Sequence, residues 1–334
     1  MPVGYLVTVA LLGWGVACAL TRWRGLGAVS ALPALVVNEL PFIAGYLLVA
    51  STVLALVDGD LASPGGAVAA AFAVLVLVGL AVIVVRALQA DAALGNAAPL
   101  RRPWARILRA PFGPGRRDVV RVSGLPYGEG PRRRVDVHHR RDRPQGVPVL
   151  VHLHGGGFRS GSRSREAKPL MRYLASSRGV VCVSAGYRLQ PEVSVEEQVA
   201  DVRAALAWVR AHARDYGGDP RTLVVTGSSA GANLAIRAVE AGETALAGLV
   251  CRYGYYGDLT PHGDVPPMLV VHGSHDLLVP AADVRAFVER ARNASHREVR
   301  YAELPGAHHD FDLFESIRSS AVYRTVEEFV VSIR

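Results

Sequence analysis

The chain has 334 residues, half of them hydrophobic, and a formal net charge of +8. The 9 basic and 4 acidic residues up to position 117 account for +5 of this charge, so only +3 belongs to the rest and no nucleic-acid footprint is predicted. The three cysteines, at 18, 182 and 251, are odd in number and widely spaced, which argues against a disulfide framework and against a clustered metal site.

Three long apolar runs dominate the first 85 residues. They cover residues 3–20, 40–57 and 67–85, and none contains a charged side chain. Each is about long enough to cross a bilayer. A cleaved signal peptide fits less well, because no basic residue precedes the first run and further apolar runs follow it. Residues 1–85 are therefore predicted to form a membrane region with about three transmembrane helices.

Charges between the runs predict the orientation of this region. Arg22 and Arg24 lie between the first two runs, Asp58 and Asp60 lie between the second and third, and Arg86 follows the third. Basic loops stay on the cytoplasmic side. With three spans, the N-terminus is then outside and the remainder of the chain is cytoplasmic, as an integral protein of the cell membrane.

A basic juxtamembrane linker is predicted at residues 86–117, with Asp91 as its only acidic residue. An arginine near an anionic membrane surface contributes about 1 kcal/mol of binding. Anionic lipid headgroups are therefore the predicted partner of this linker, and an ordinary solvated linker is the alternative. The arginines of this linker after Arg86 are Arg101, Arg102, Arg106, Arg109, Arg116 and Arg117.

The remaining segment, residues 118–334, alternates short apolar runs with amphipathic ones. This alternation predicts an α/β domain with a mostly parallel eight-stranded sheet, helices on both faces and two antiparallel leading strands. Strands are predicted near residues 119–123, 134–138, 148–153, 180–184, 222–226, 246–251, 268–272 and 298–303. The main helices are predicted at residues 195–214, 230–241, 281–294 and 319–333.

A candidate nucleophile lies where the fifth strand meets the following helix. Residues 227–231 read Gly-Ser-Ser-Ala-Gly and match the pattern G-x-S-x-G, with Ser229 at its centre. In this context the serine occupies a sharp, strained turn that only small neighbours permit. Ser228 stands one position too early in the pattern.

A second motif follows the third predicted strand. Residues 154–158 read His-Gly-Gly-Gly-Phe, and glycines in such a loop turn bare backbone N–H groups toward a substrate carbonyl. Together the two motifs predict a serine nucleophile facing an oxyanion hole.

Candidates for the acid and base follow in the order expected for this kind of fold. Asp276 comes just after the seventh strand, at the carboxyl edge of the sheet. Asp264 precedes that strand and Asp283 lies in the next helix, so both fit less well. The loop after the last strand contains two adjacent histidines, His308 and His309, which compete for the role of base.

From about Val119 to the C-terminus, the chain resembles the hormone-sensitive lipase-like branch of the α/β-hydrolases, a family of carboxylesterases and lipases. Residues 154–158 carry the likeness, together with Tyr-Arg-Leu-Gln-Pro-Glu at 187–192. Asp201, Trp208 and residues 216–220 match the helix and turn that lead into the family's nucleophile strand.

The resemblance assigns further roles. In the family, the catalytic histidine stands two residues before a phenylalanine, which selects His309 over His308. The resemblance also implies that Gly156, Gly157 and Ala230 supply the oxyanion N–H groups, while His154 helps to hold its loop in shape.

These residues predict an esterase or lipase that acts through Ser229, Asp276 and His309 and an acyl-enzyme intermediate, on a small-molecule or lipid ester. No metal or cofactor is expected. Arylformamidases and prenylcysteine methylesterases have similar motifs, so amide and thiol-linked lipid substrates remain open. A non-catalytic interaction domain is the third alternative, which the intact set of triad residues disfavours.

The chain departs from its relatives in having little room for a lid. Only 47 positions separate Ser229 from Asp276, and membrane spans replace the family's N-terminal cap. A shallow site is therefore expected, with walls from the linker, the loop at 253–264 or the bilayer. Three tyrosines of that loop either contact substrate or pack against the sheet: Tyr253, Tyr255 and Tyr256.

Overall fold

The computed structural model describes residues 3–21, 28–96, 102–109, 111–112, 115–243, 245–257, 259–261, 263 and 265–333. Two compact units divide the chain. The first consists of Met1–Gly113, Gly273–Leu278 and Leu304–Ala321, and the second of Pro114–His272, Val279–Glu303 and Val322–Arg334. Four residues used in the sequence analysis lie outside the described residues: Arg22, Arg24, Arg101 and Asp264.

Apolar helices form most of the first unit. Helices α1 and α4 are each long and apolar enough to cross a membrane. Helices α2 and α3 meet that standard only together and are bent by 90° at their junction, so the unit has two candidate spans, or three if the bent pair is one. The helices are α1 Val3–Leu20, α2 Ala28–Glu39, α3 Pro41–Val57, α4 Pro64–Leu88, α5 Ala90–Ala93 and α6 Trp104–Arg109.

Glycines allow these helices to approach one another closely. A Cβ atom at Gly15 would collide with Val37 of α2, and one at Gly79 would collide with Val16 of α1. Small residues at helix contacts are typical of membrane helices, which associate through close packing rather than through the hydrophobic effect.

An eight-stranded sheet organises the rest of the chain, in the order β1-β2-β4-β3-β5-β6-β7-β8. Strand β2 pairs antiparallel with β1 and β4, and the pairs from β4 through β7 are parallel. The strands are β1 Val119–Pro126, β2 Arg134–Arg140, β3 Val147–Leu153, β4 Val181–Ala185, β5 Gly218–Ser228, β6 Gly248–Arg252, β7 Met268–Gly273 and β8 Val299–Leu304.

Helices cover both faces of this sheet. Val149 and Val151 of β3 join α8, α9 and α10 in one apolar core, and the intervening Leu150 is equally buried. Because successive strand residues point to opposite faces, neither face is exposed to solvent there. The helices are α7 Lys168–Arg178, α8 Val195–His212, α9 Ala230–Glu240, α10 Ala281–Ala294 and α11 Ile317–Ser332.

The predicted fold class is confirmed. All eight predicted strands are present, and the largest difference is at β5, which begins at Gly218, four residues early. The four main predicted helices are also present, with ends that differ by at most two residues.

A buried histidine on β2 makes the stability of the second unit pH-dependent. Burial lowers the pKa of His138 to about 4, from an ordinary value of about 6.5. Below pH 6.5 the unfolded chain therefore binds a proton that the folded chain does not, so the free energy of unfolding falls by up to about 1.4 kcal/mol per pH unit until about pH 4. We expect His138→Leu to make the fall in the free energy of unfolding with decreasing pH shallower. Urea unfolding of both proteins in detergent at pH 7, 6 and 5 measures this free energy, and an equal fall in both proteins would contradict the expectation.

Candidate active site

Ser229 occupies a strained turn between β5 and α9. Its φ of 51° and ψ of −118° are unfavourable for a side chain other than glycine. The surrounding backbone holds it there: its N–H donates to the Arg252 carbonyl at 3.1 Å, and its carbonyl accepts from the Tyr255 N–H at 3.2 Å. Strain that is held this firmly is typical of functional positions.

The two glycines of the G-x-S-x-G pattern are required by close contacts. A Cβ atom at Gly227 would collide with the backbone of Ala232, and one at Gly231 would collide with the carbonyl oxygens of Leu153 and His154. The turn can therefore close only because both positions lack a side chain.

The His-Gly-Gly-Gly loop lies directly beside the serine. A Cβ atom at Gly155 would stand 3.1 Å from the Cβ of Ser229. Gly156 and Gly157 have φ values of 119° and 60°, which favour glycine. Within the described part of the chain, no acceptor is hydrogen-bonded to the amide groups of Gly156, Gly157 or Ala230. This is the arrangement that an oxyanion hole needs.

His154 supports this loop from inside the protein. Its ring stacks on Tyr187 with centroids 4.2 Å apart, and the Tyr187 hydroxyl donates to the His154 carbonyl at 2.6 Å. Burial lowers the pKa of His154 to about 4, so the ring is neutral at neutral pH. The Nδ1 atom lies 2.7 Å from the carbonyl oxygen of Gly155, to which a neutral ring can donate.

Glu166 is a second support of this loop, and it was not predicted from the sequence. The buried carboxylate of Glu166 accepts a hydrogen bond from the Gly155 N–H at 2.8 Å. Glu166 belongs to an irregular segment before α7, eleven residues beyond the glycine that it holds. No local pattern distinguishes it from a surface glutamate.

Arg252 is a further residue that the sequence did not single out. It is completely buried on β6, and its guanidinium donates to the Ser228 hydroxyl at 2.9 Å and lies 3.3 Å from Nδ1 of His152. Burial and the arginine charge hold the pKa of His152 well below its usual range, so His152 accepts as a neutral ring. The side chain of Ser228 is therefore hydrogen-bonded to Arg252 of the neighbouring strand.

The first unit contains the acid and base candidates, and the structure brings them together. Oδ2 of Asp276 lies 2.7 Å from Nδ1 of His309. The carboxylate has no exposed side-chain surface, and the imidazole keeps 11% of its own. The other carboxylate oxygen, Oδ1, accepts from the Leu278 N–H at 2.9 Å. A carboxylate fixed in this way orients the ring and favours the tautomer with its proton on Nδ1.

The two loops that carry this pair are bonded to each other along their length. The Ser274 N–H donates to the Leu304 carbonyl, the His275 N–H donates to the Ala307 carbonyl, and the Ser274 hydroxyl accepts from the Gly306 N–H. A Cβ atom at Gly273 would collide with the Ala307 carbonyl. The backbone thus holds both loops at a close and defined approach.

His308 has a different environment from His309. It is buried, its Nε2 lies 3.2 Å from the carbonyl oxygen of Ala19, and burial lowers its pKa to about 4. A neutral ring with its proton on Nε2 donates to that carbonyl. The structure therefore places His309, and not His308, against Asp276.

The candidate site residues are divided between the two compact units. Ser229, the oxyanion glycines, Ala230 and His154 all belong to the second unit, whereas Asp276 and His309 belong to the first. Asp283 is exposed in the first turn of α10. Within the described residues, no group of three or more His, Cys, Asp and Glu side chains is arranged to hold a metal ion.

Of the three tyrosines in the loop after β6, two are core residues. Tyr253 and Tyr256 are buried, and Tyr256 stacks on Phe287 of α10. Tyr255 is 47% exposed and lies edge-on to Phe158, the last residue of the His-Gly-Gly-Gly-Phe motif, with centroids 6.3 Å apart. It is the one tyrosine of the three that is available to a ligand.

Comparisons with known proteins show what this chain is similar to. A family model described as the alpha/beta hydrolase fold matches residues 150–264. Esterase LipQ of Mycobacterium tuberculosis is 34% identical over 270 residues, which cover 65% of this chain and 64% of LipQ. The probable carboxylic ester hydrolase LipM of the same organism is 32% identical over 269 residues, covering 65% of this chain and 62% of LipM. The chain has the α/β-hydrolase fold.

The fold is also found among solved structures. Propionate-bound esterase 2 of Thermogutta terrifontis superposes with a TM-score of 0.54 at 24% identity, covering 65% of this chain and 95% of that one. At this identity the likeness concerns the fold. The chain spans less than two thirds of the length of LipQ and of LipM.

Glu166 provides a test of how the oxyanion loop is held. Glu166→Leu leaves the buried Gly155 N–H without its acceptor, so we expect the free energy of unfolding to fall by about 1–3 kcal/mol. Glu289→Leu, at an exposed position of α10, is the matched control and should change it by less than about 0.5 kcal/mol. Urea unfolding in detergent measures both, and equal effects at the two positions would refute the role of Glu166.

Proposed function

We propose that the protein is a membrane-anchored serine hydrolase that cleaves carboxylic esters through Ser229, His309 and Asp276. The hydrogen bond of 2.7 Å between Asp276 and His309 is the main support. The strained serine beside the glycine loop and the esterase names of two relatives add to it. A domain that had lost catalysis would not need to keep an oriented imidazole, a strained serine and glycine amides without an intramolecular acceptor.

In this proposal His309 acts as general base. A serine hydroxyl is too weakly acidic to attack an ester unaided, so Nε2 of His309 takes its proton while the oxygen of Ser229 bonds to the carbonyl carbon. Asp276 stabilises the imidazolium that forms. The same proton then goes to the departing alkoxide, which leaves as an alcohol, and the acyl group stays bonded to Ser229 as the acyl-enzyme. Water repeats the sequence and releases the acid.

The negative charge that develops on the substrate oxygen is assigned to the amides of Gly156, Gly157 and Ala230. Their geometry is set before substrate arrives, by the glycine backbone angles and by His154 and Glu166 behind the loop. Preorganised donors of this kind contribute about 2.7–4 kcal/mol each in transition-state stabilisation.

Substitution of the two adjacent serines tests the nucleophile. Ser229→Ala should abolish labelling by a fluorophosphonate and lower the turnover of p-nitrophenyl propionate by at least about 10⁴-fold. Ser228→Ala should keep the labelling, because its hydroxyl is bonded to Arg252.

His309→Ala should lower turnover at least about 10³-fold and far more than His308→Ala. Labelling that survives Ser229→Ala, or a wild-type protein inert toward esters and active on amides, would contradict the proposal.

Membrane anchoring is supported by the apolar surface of the first unit. Many large apolar side chains of α3 and α4 are more than half exposed, which is unfavourable in water and ordinary in lipid. Helix α3 has 17 residues and is about 26 Å long, close to the hydrophobic thickness of a bilayer. The exposed side chains include Leu47, Val49, Val53, Leu54, Leu56 and Val57 of α3 and Val68, Phe72, Val74, Leu75 and Val78 of α4.

The basic linker is proposed to rest on anionic headgroups. Arg102 and Arg106 are paired with Asp91 and Glu315, so among the described arginines of the linker the exposed Arg109 and Arg117 are available to lipid. Exposed aromatic side chains accompany them, with Trp104 at 43% and Phe112 at 71%. Aromatic rings are enriched at the membrane interface.

Reporter fusions test the topology. With α1, α3 and α4 as spans and the end of α4 at Arg86 on the cytoplasmic side, alkaline phosphatase fused after residue 334 should be inactive and a fluorescent protein there should fluoresce. Phosphatase inserted after Gly59, between α3 and α4, is the matched control and should be active. The reverse pattern would overturn the orientation.

A further inference from the structure

The structure assigns the membrane helices a part in catalysis: we propose that Asn38 and Glu39, at the C-terminal end of α2, are positioning residues for the catalytic base. They act on the loop that joins β8 to α11, which carries His309 and has no regular secondary structure between Leu304 and Ile317. This inference rests on the proposed function.

Asn38 fixes the start of that loop. Its amide donates to the Gly306 carbonyl at 3.1 Å, and Asn38 is buried. The N–H of the same glycine donates to the Ser274 hydroxyl at 2.9 Å, two residues before Asp276. Gly306 is therefore held between α2 on one side and the loop of the catalytic acid on the other.

Glu39 holds both ends of the loop. Its carboxylate accepts from the Ser316 hydroxyl at 2.7 Å and from the Arg318 guanidinium. The other terminal nitrogen of Arg318 donates to the Pro305 carbonyl at 3.2 Å. One buried carboxylate thus engages the last turn of the loop directly and its first residue through an arginine.

Two further helices contact the same segment. His308, the neighbour of the proposed base, lies 3.2 Å from the Ala19 carbonyl near the end of α1. Arg86 near the end of α4 lies beside Gly306, where a Cβ atom would stand 3.1 Å from its Cδ. The acid and base accordingly belong to the same compact unit as the membrane helices.

The chemistry of the pair favours a positioning role over simple stabilisation. The side chains of Glu39 and Arg318 are both fully buried, and a buried ion pair gains little net stability because both charges lose their hydration. The ion pair does fix geometry, because moving either partner away leaves the other charge buried without a counter-charge. Geometry is what a general base needs, since a shift of about 1 Å can cost about 10²-fold in rate.

Two substitutions test the proposal in full-length protein in detergent. Asn38→Ala and Glu39→Gln should each lower kcat for p-nitrophenyl propionate by about 10- to 100-fold and leave KM within about twofold, because the oxyanion amides belong to the other unit. Asp58→Asn, the same kind of change as Glu39→Gln at the exposed opposite end of α3, should leave both constants unchanged. The pH profile of kcat should also change for the first two variants, because the base is no longer held in one orientation.

Hydrogen exchange separates positioning from general destabilisation. Amides of residues 305–316 should exchange faster in both variants, while those of residues 227–235 around Ser229 should not. If Glu39 acts through Arg318, the double variant Glu39→Gln with Arg318→Gln should have a kcat no lower than the poorer of the two single variants. Unchanged kcat in both Asn38→Ala and Glu39→Gln, or faster exchange everywhere, would overturn the inference. An inactive wild-type protein would instead refute the proposed function.

Discussion

The hydrogen bond between Asp276 and His309 is the interaction on which the proposed chemistry depends. A free imidazole can turn and change its tautomer, and a buried carboxylate at 2.7 Å restricts both. The bond forms only if two loops from different strand ends meet closely. The missing side chain at Gly273 permits that approach, and the bonds of Ser274 to Leu304 and Gly306 maintain it.

The proposed nucleophile, Ser229, requires a different kind of constraint. The backbone conformation of Ser229 costs about 1–3 kcal/mol, and it persists only because neighbouring groups hold it. Glycines at 227 and 231 let the strand and helix close around it, and the Arg252 carbonyl fixes its N–H. The buried arginine beneath the turn also ties up the Ser228 hydroxyl, so two adjacent serines have unlike surroundings.

The sequence predicted those features whose signal is local. Alternating apolar runs predicted every strand, and the patterns around Ser229 and Gly156 gave their positions at strand ends, because turns and glycine contacts leave a trace in neighbouring residues. Contacts between distant segments leave none, so the sequence did not indicate that Glu166 holds the Gly155 amide. Among the apolar helices the run at 40–57 matched α3, yet α2 was not anticipated as a separate helix. The 90° bend between α2 and α3 lies at Leu40, directly before Pro41.

The contacts of Glu39 explain why a carboxylate stands at the end of the apolar helix α2. Glu39 follows eleven residues of α2 that carry no charge, and leaving it in lipid or in an apolar interior without a partner is prohibitively unfavourable. Arg318 and Ser316 supply its partners, so the end of α2 and the loop of His309 each complete the other. The end of α2 therefore lies against the loop that carries His309, and the same contacts that bury Glu39 restrain that loop.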